Sequence, residues 1–327
     1  MIVLGIETSC DETSAALVRD GRKILSNTVA SSLEFHKKYG GVIPEIASRM
    51  QLETIVGVAE SALKKAKLKL KDIDLVAVTS GPGLVGSLLV GISFAKSLSL
   101  GLGKPLLGVN HVYSHFYANF LAGERVKLPF VALVVSGGHT SLFYIRDFDK
   151  IEVLGETQDD ACGEAFDKVA KILGLGYPGG PAIEKMAVSG NPKKIRFNCS
   201  GTKDKLDFSF SGIKTAVLYY VKGRRLSIGE KADISASFQE AVIDALVKKA
   251  ISACKIKKVN RLVVGGGVAA NSCLRDKFYG AAAVHNLNCY FPAQSLCMDN
   301  AAMIAGLAYQ LFKKGYWSDL SLTVDLN

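Results

Sequence analysis

The chain has 327 residues, of which 49% are apolar and 21% charged, and it carries a formal charge of +10. These are globular values that exclude a disordered chain, and the length leaves room for two domains of roughly 150 residues each. The surplus of Lys and Arg favours a polyanionic partner, nucleic acid first among them, or else is simply the surface of a basic soluble protein. Seven cysteines (Cys10, Cys162, Cys199, Cys254, Cys273, Cys289, Cys297) contain no CxxC pair. That fits a reducing compartment better than a disulfide framework.

Met1 leads directly into an apolar strand, Ile2–Ile6, with no basic stretch or cleavage site of a secretory signal. A polar turn, Glu7 to Ser14, separates it from a second strand, Ala15–Val18. Asp20-Gly21 then predicts a hairpin into Ile24–Val29. Pro44 opens a long helix whose apolar positions Ile46, Met50, Ile55, Val58, Ala62 and Ala66 recur at helical spacing. Its end is rich in lysine (Lys64, Lys65, Lys67, Lys69, Lys71), as the negative end of a helix dipole or a solvated face favours. Leu75–Thr79 reads as a buried strand, Ser80 to Gly83 as a turn, and the stretch to about Leu100 as a helix. Within it, Lys96 interrupts the apolar run before membrane-spanning length, and its glycines and serines suit a buried helix. A cytoplasmic protein is expected.

A short strand ending at Val109 leads into Asn110-His111-Val112-Tyr113-Ser114-His115. Two of the five histidines stand here, four residues apart. On a helix that spacing places both imidazoles on one face, where they can share a metal ion, or cap and pack a helix end. A second cycle then begins. Val131–Val135 is a strand, Ser136 to Thr140 its turn, and Ser141–Ile145 the returning strand. Helices are expected near Gly163–Leu173, Gly179–Val188, Ser211–Tyr220 and Lys231–Cys254, with a loop from Asn198 to Asp207 carrying Lys203 and Lys205. Leu262–Val264 and Gly265-Gly266-Gly267 lead into a helix from about Ala269, and a last helix runs from about Asp299 to Lys313. Strand, polar turn, strand occurs twice, so the chain reads as two lobes on one plan. The expected division is 1–109, completed by about 305–327, against 110–304.

Three small-residue turns follow strands: Thr8 to Ser14, Ser136 to Thr140 and Gly265 to Asn271. Such turns offer backbone N–H groups to anions. None has Walker A or Rossmann spacing, which disfavours a hydride-transfer enzyme. Asp159, Asp160 and Asp167 flank Cys162 to Phe166, as dipole partners of a helix or as acceptors for ribose hydroxyls. Tyr177-Pro178-Gly179-Gly180-Pro181 is a rigid turn open to close backbone approach. Asp299, before Asn300, reads by itself as a helix N-cap.

Taken together these blocks resemble the bacterial TsaD family, also known as Gcp or OSGEP. The resemblance rests on Gly5 to Thr13, Tyr39 to Glu45 with Ala47-Ser48-Arg49, Gly81 to Leu84, Ser136 to Thr140, Gly163 to Lys168, Tyr177 to Pro181, Phe208 to Gly212, Gly265 to Asn271, and Asp299 to Met303. It implies an α/β, two-lobe, actin-like and sugar-kinase-like (ASKHA) fold with a nucleotide cleft. It implies transfer of threonylcarbamoyl from threonylcarbamoyl-AMP to N6 of adenosine 37 in tRNAs reading ANN codons. It further implies one divalent metal ion, iron or zinc, on His111, His115 and Asp299. Substrate contacts are implied at Val134, Val135, Ser136, Gly137, Gly138, Asp167, Gly180 and Asn271. The implied partners are tRNA and the TsaB and TsaE proteins, with TsaC supplying the adenylate. Asp11 and Glu12, in the first turn, could orient the attacking amine or a second cation.

Two departures stand out. Tyr113-Ser114 replace the Glu-Gly that many members carry between the histidines, and the sequence ends at Val324-Asp325-Leu326-Asn327, without the Arg-Pro-Arg-Trp-like tail of many members. Three rival readings remain. A zincin protease needs HExxH, but Val112 holds the place of the glutamate. A small-molecule kinase would share the fold. A chaperone-like ATPase would not need the His pair.

Overall fold

The computed structural model describes residues 1–121, 126–199 and 201–325. The chain forms two compact units, one of Met1–Arg125 with Ser295–Asn327 and one of Val126–Gln294. The sequence suggested breaks after residues 109 and 304. The observed breaks come later and earlier respectively, so that His111, His115 and Asp299 all fall in the first unit. The helix bearing the histidines packs against the last helix and the first sheet.

In the first unit, β1 (Ile2–Glu7), β2 (Glu12–Arg19) and β3 (Lys23–Ser31) form an antiparallel meander. Asp20 and Gly21 both take left-handed dihedrals (φ 52° and 69°), the pair that a tight hairpin with matched twist requires. The short α1 (Leu33–Lys37) and long α2 (Pro44–Ala66) follow. Then β4 (Leu75–Gly81) pairs parallel with β1, α3 (Val85–Leu102) crosses over, and β5 (Leu106–Asn110) pairs parallel with β4. α4 (His111–Leu121) comes directly off β5, and the last helix of the chain, α10 (Ala301–Lys313), returns to this sheet. The strand order is β3-β2-β1-β4-β5.

Alternation along β1 shows why that strand is apolar throughout. Leu4 and Ile6 join Ile55, Val58 and Ala62 of α2 and Leu88, Ile92 and Ala95 of α3 in one core. Gly5, between them, faces α10, where a Cβ would lie 2.3 Å from the Ala301 carbonyl oxygen. Both faces are covered, so both sets must be apolar or small. Each fully buried Leu or Ile of this core contributes about 1.5–3 kcal/mol.

Two helices differ from their sequence reading. The buried face of α2 is Ala47, Gln51, Ile55, Val58, Ala59 and Ala62, so Ile46 and Met50 are only half-buried and a glutamine enters the core. α3 runs through Lys96 to 18 residues with a mean hydropathy of 1.6, long and apolar enough to cross a membrane. Packing is what gives it a place here, since Leu88, Ile92 and Ala95 belong to the core of the unit.

The second unit repeats the plan. β6 (Phe130–Val135), β7 (Thr140–Asp147) and β8 (Lys150–Glu156) are an antiparallel meander. β9 (Arg261–Gly265) pairs parallel with β6, and β10 (Asn288–Tyr290) parallel with β9. The order β10-β9-β6-β7-β8 mirrors that of the first sheet. β8 and β10 escaped the sequence reading because one is half-exposed and the other has three residues. Between the strands lie α5 (Cys162–Leu173), α6 (Gly179–Ala187), α7 (Ser211–Val221), α8 (Ile228–Lys257) and α9 (Ser272–His285). The helix expected from Ala269 is a 3-10 turn, Gly267–Ala270, and α9 starts only after it.

Candidate functional site

Asn110 ends β5, and its side-chain oxygen accepts the Tyr113 amide at 3.0 Å, which caps the start of α4 and makes His111 its first residue. His111 and His115 lie one turn apart, their rings edge-to-face with centroids 4.7 Å apart. His111 Nε2 is 3.6 Å and His115 Nε2 3.4 Å from Asp299 Oδ1. The three ligand atoms lie within 4.8 Å of one another. Asp299 is not the cap of α10. Asn300 is, with its side-chain oxygen accepting the Met303 amide at 3.2 Å. Asp299 is thereby left to the histidines. Tyr113 leans on Phe116, and Ser114 donates to the His111 carbonyl, so neither intrudes on the three ligands.

Behind His111 stands a group that the sequence reading missed. Glu7, at the end of β1, is fully buried, and its Oε2 lies 3.0 Å from His111 Nδ1. The Ser9 amide donates to Glu7 Oε1 at 2.6 Å and the Thr79 hydroxyl to Oε2 at 2.5 Å. Burial alone would raise the Glu7 carboxyl, but His111 and these donors hold it below its ordinary value. Burial likewise opposes charge on His111, yet Glu7 and Asp299 push its pKa up to about 9. Asp299 is raised to about 6, first by burial and then by Glu7 and Asp11, against the pull of His111. An acidic residue ending an otherwise apolar strand was the signal available for Glu7.

The turn after β1 is held by its carbonyls. Gln51 Nε2 donates to Cys10 O at 2.9 Å and Glu12 O at 3.0 Å, Ser32 Oγ donates to Asp11 O at 2.8 Å, and the Leu84 amide donates to Ser9 O at 2.7 Å. This is why α2 buries a glutamine. Glu12 is raised well above the ordinary carboxylate range by burial, by Asp299 and by Asp11.

Two imidazoles and a carboxylate are a donor set for a divalent first-row metal such as zinc or iron. The donors converge, and a carboxylate on the far nitrogen of a ligating histidine is the usual device that fixes its tautomer and orientation. The residues fit a metal ion.

The remaining expected residues lie in the second unit, at the carboxyl ends of β6 and β9 and the helix starts beside them. Val134 and Val135 are fully buried, Val134 paired with both β7 and β9 and Val135 with β7, so they support the turn that follows. In that turn Ser136 Oγ accepts the His139 amide at 3.1 Å, while Gly137 and Gly138 are exposed. The start of α5 is tied to it by Gly163 N donating to Ser136 O at 3.1 Å. Asp167, on α5, accepts the Gly179 amide at 2.6 Å and a backbone bond from Gly180, at the start of α6, while burial keeps its carboxyl above its ordinary value. Asn271 caps α9, its Oδ1 accepting the Leu274 amide at 2.9 Å and its Nδ2 donating to Gln239 Oε1 at 2.9 Å. Gly266 (φ 94°) packs on β6, and a Cβ there would meet the Val135 carbonyl oxygen at 2.3 Å. This is the edge of an α/β sheet where ligands are usually bound.

Two like-ordered mixed sheets with a His-His-Asp group, both histidines buried and the aspartate partly so, define a duplicated α/β protein of the actin-like class, one equipped for a metal. Solved structures agree on the fold. HypF of T. kodakarensis aligns with a TM-score of 0.66 at 15% identity over 98% of this chain and 49% of that one. (R)-2-Hydroxyglutaryl-CoA dehydratase component A of Acidaminococcus fermentans aligns at 0.56 and 16%, over 97% of this chain and 100% of that one. The family model "TsaD: tRNA N6-adenosine threonylcarbamoyltransferase" matches residues 23–306. Relatives so named are 52% identical in Clostridium kluyveri, over 98% of this chain and 95% of that protein, and 54% identical in Thermosipho africanus, over 98% of each. The chain belongs to the TsaD family of transferases.

Proposed function

We propose that the chain transfers the threonylcarbamoyl group of threonylcarbamoyl-AMP to N6 of adenosine 37 in tRNAs that read ANN codons. The observation that carries this reading is the convergence of His111, His115 and Asp299, with Glu7 behind them, in a member of this family. The adenosine amine attacks the carbamoyl carbon, the bond from that carbon to the phosphate oxygen breaks, AMP leaves, and the amine loses a proton. A bound divalent ion, iron or zinc, supplies Lewis acidity to the carbamoyl carbonyl. Glu7 keeps His111 in the tautomer that turns Nε2 toward Asp299. In the second unit, exposed Gly137 and Gly138 offer backbone to the phosphate or to developing negative charge. Asp167 with Gly180 receives the ribose, and Asn271 stands on the adenine side.

TsaB and TsaE are the protein partners in this reading. Its support is an apolar stripe on neighbouring helices, Leu52 and Val56 of α2 and Val85 and Leu89 of α3, all 47–67% exposed. We place the protein in the cytoplasm, where tRNA is modified.

The test supplies the purified chain, TsaB and TsaE with threonylcarbamoyl-AMP and unmodified tRNA, and measures nucleosides by mass. Threonylcarbamoyladenosine is expected. No product with the wild type overturns the reaction, and undiminished product with His115→Ala overturns the metal's part in it.

A further inference from the structure

The C-terminal end of α7 and the segment 193–197 form a surface that none of the chemistry above uses. Tyr219 is 69% exposed, with Leu218 and Tyr220 exposed beside it. The Arg224 guanidinium lies over the Tyr220 ring, 4.6 Å from its centroid, and Phe197 meets the same ring edge-on with centroids 6.0 Å apart. Phe197 is buried, while Lys193, Lys194 and Arg196 before it are exposed. Its contact therefore brings those cations beside exposed Lys222, Arg224 and Arg225, which follow α7. The segment is fixed along α8, where the Asn191 amide donates to Asp233 at 2.8 Å and the Ile195 amide to Ser237 Oγ at 3.2 Å.

The nearby carboxylates are already committed. Glu230 pairs with Arg224 at 2.7 Å and caps α8 through Ser227, and Asp233 holds Asn191. Among the described residues, Lys193, Lys194, Arg196, Lys222 and Arg225 pair with no carboxylate. The negative end of α7 accounts for roughly half a charge of this excess. A solvated basic face needs no aromatic ring at its centre. Cations beside an open ring, Tyr219, whose neighbour Tyr220 is held by Arg224 and Phe197, suit unpaired RNA, whose phosphates take the charges and whose bases stack on the open ring.

We propose that this surface grips the unpaired part of the RNA substrate, with phosphates on Lys193, Lys194, Arg196, Lys222 and Arg225 and one base stacked on Tyr219. This rests on the reading of the substrate as tRNA. The test measures binding of unmodified tRNA across a salt series, using the full chain with every protein of the modification assay. Tyr219→Ala weakens binding about tenfold and Tyr219→Trp retains it. Lys222→Gln with Arg225→Gln lowers the slope of log affinity against log salt by about 1.4. All these positions are exposed, and unchanged thermal midpoint and metal content verify the fold. Wild-type affinity and slope in the variants, while the wild type makes threonylcarbamoyladenosine, overturn this inference alone. A wild type that neither binds nor modifies tRNA overturns the proposed function and this inference with it.

Discussion

Glu7 shows how a single side chain sets the state of the His-His-Asp group. Its carboxylate sits on the nitrogen of His111 that faces away from Asp299. Glu7→Gln keeps the shape and removes the charge, so metal affinity falls about 10–100-fold while the protein stays folded, as a metal titration with a thermal melt will show. Asp299→Ala removes a candidate ligand outright. Metal content measured after purification drops below that of Glu7→Gln, and product formation drops with it. The histidine pair was visible in the sequence because helical spacing relates residues four apart. Glu7 and Asp299 lie 104 and 188 positions from His111, and no local period links residues so far apart.

At the scale of elements, helix ends govern what the second unit presents. Asn271 ends one element and begins the next by accepting the Leu274 amide and donating to Gln239. Asn271→Ala loses the cap, at about 1 kcal/mol, and leaves the buried Gln239 amide oxygen without its donor. The thermal midpoint falls accordingly, and adenylate binding weakens if Asn271 also meets the substrate. α7 starts against a carboxylate in the same way. Asp159 accepts the Phe210 and Ser211 amides at 2.7 and 3.1 Å, and Asp160 takes Lys168 and Lys214 at 2.6 Å each. Burial opposes both charges, but the hydroxyl and amide donors on Asp159 and the two lysines on Asp160 hold both carboxyls below their ordinary value of 3.8. A depressed folded pKa adds stability that is present above the unfolded value and lost as pH falls through the folded one. The thermal midpoint therefore drops below about pH 4, and drops less in Asp159→Asn with Asp160→Asn. The sequence showed acids flanking α5. Their service to α7, some fifty residues on, needed the fold.

For the whole molecule, the two sheets share one strand order, yet each unit carries a different set of side chains. The candidate metal ligands gather in the first, and the glycine turns with Asp167 and Asn271 in the second. The α2–α3 stripe belongs to the first unit as well. Leu52→Asp with Leu89→Asp is expected to abolish co-elution with TsaB on a sizing column while leaving metal content unchanged. Retained co-elution would remove that face from the proposal.

By itself the sequence determined the strands and helices with strong periodicity, the repeated strand–turn–strand device, the His pair and the family motifs. Each of these is local, written by alternation, helical spacing or turn chemistry within a dozen residues. Tertiary structure decided the rest. It moved α4 and Asp299 into the first unit, because the face of α4 packs on α10 and the first sheet. It rotated the buried face of α2 so that Gln51 could hold the carbonyls of the first turn. It gave the cap of α10 to Asn300, freeing Asp299 for the histidines, and it set Glu7 behind His111. The Asn300 cap is a local bond to the Met303 amide, but the other three depend on burial and hydrogen bonds between residues far apart in the chain, and only the packed fold specifies these.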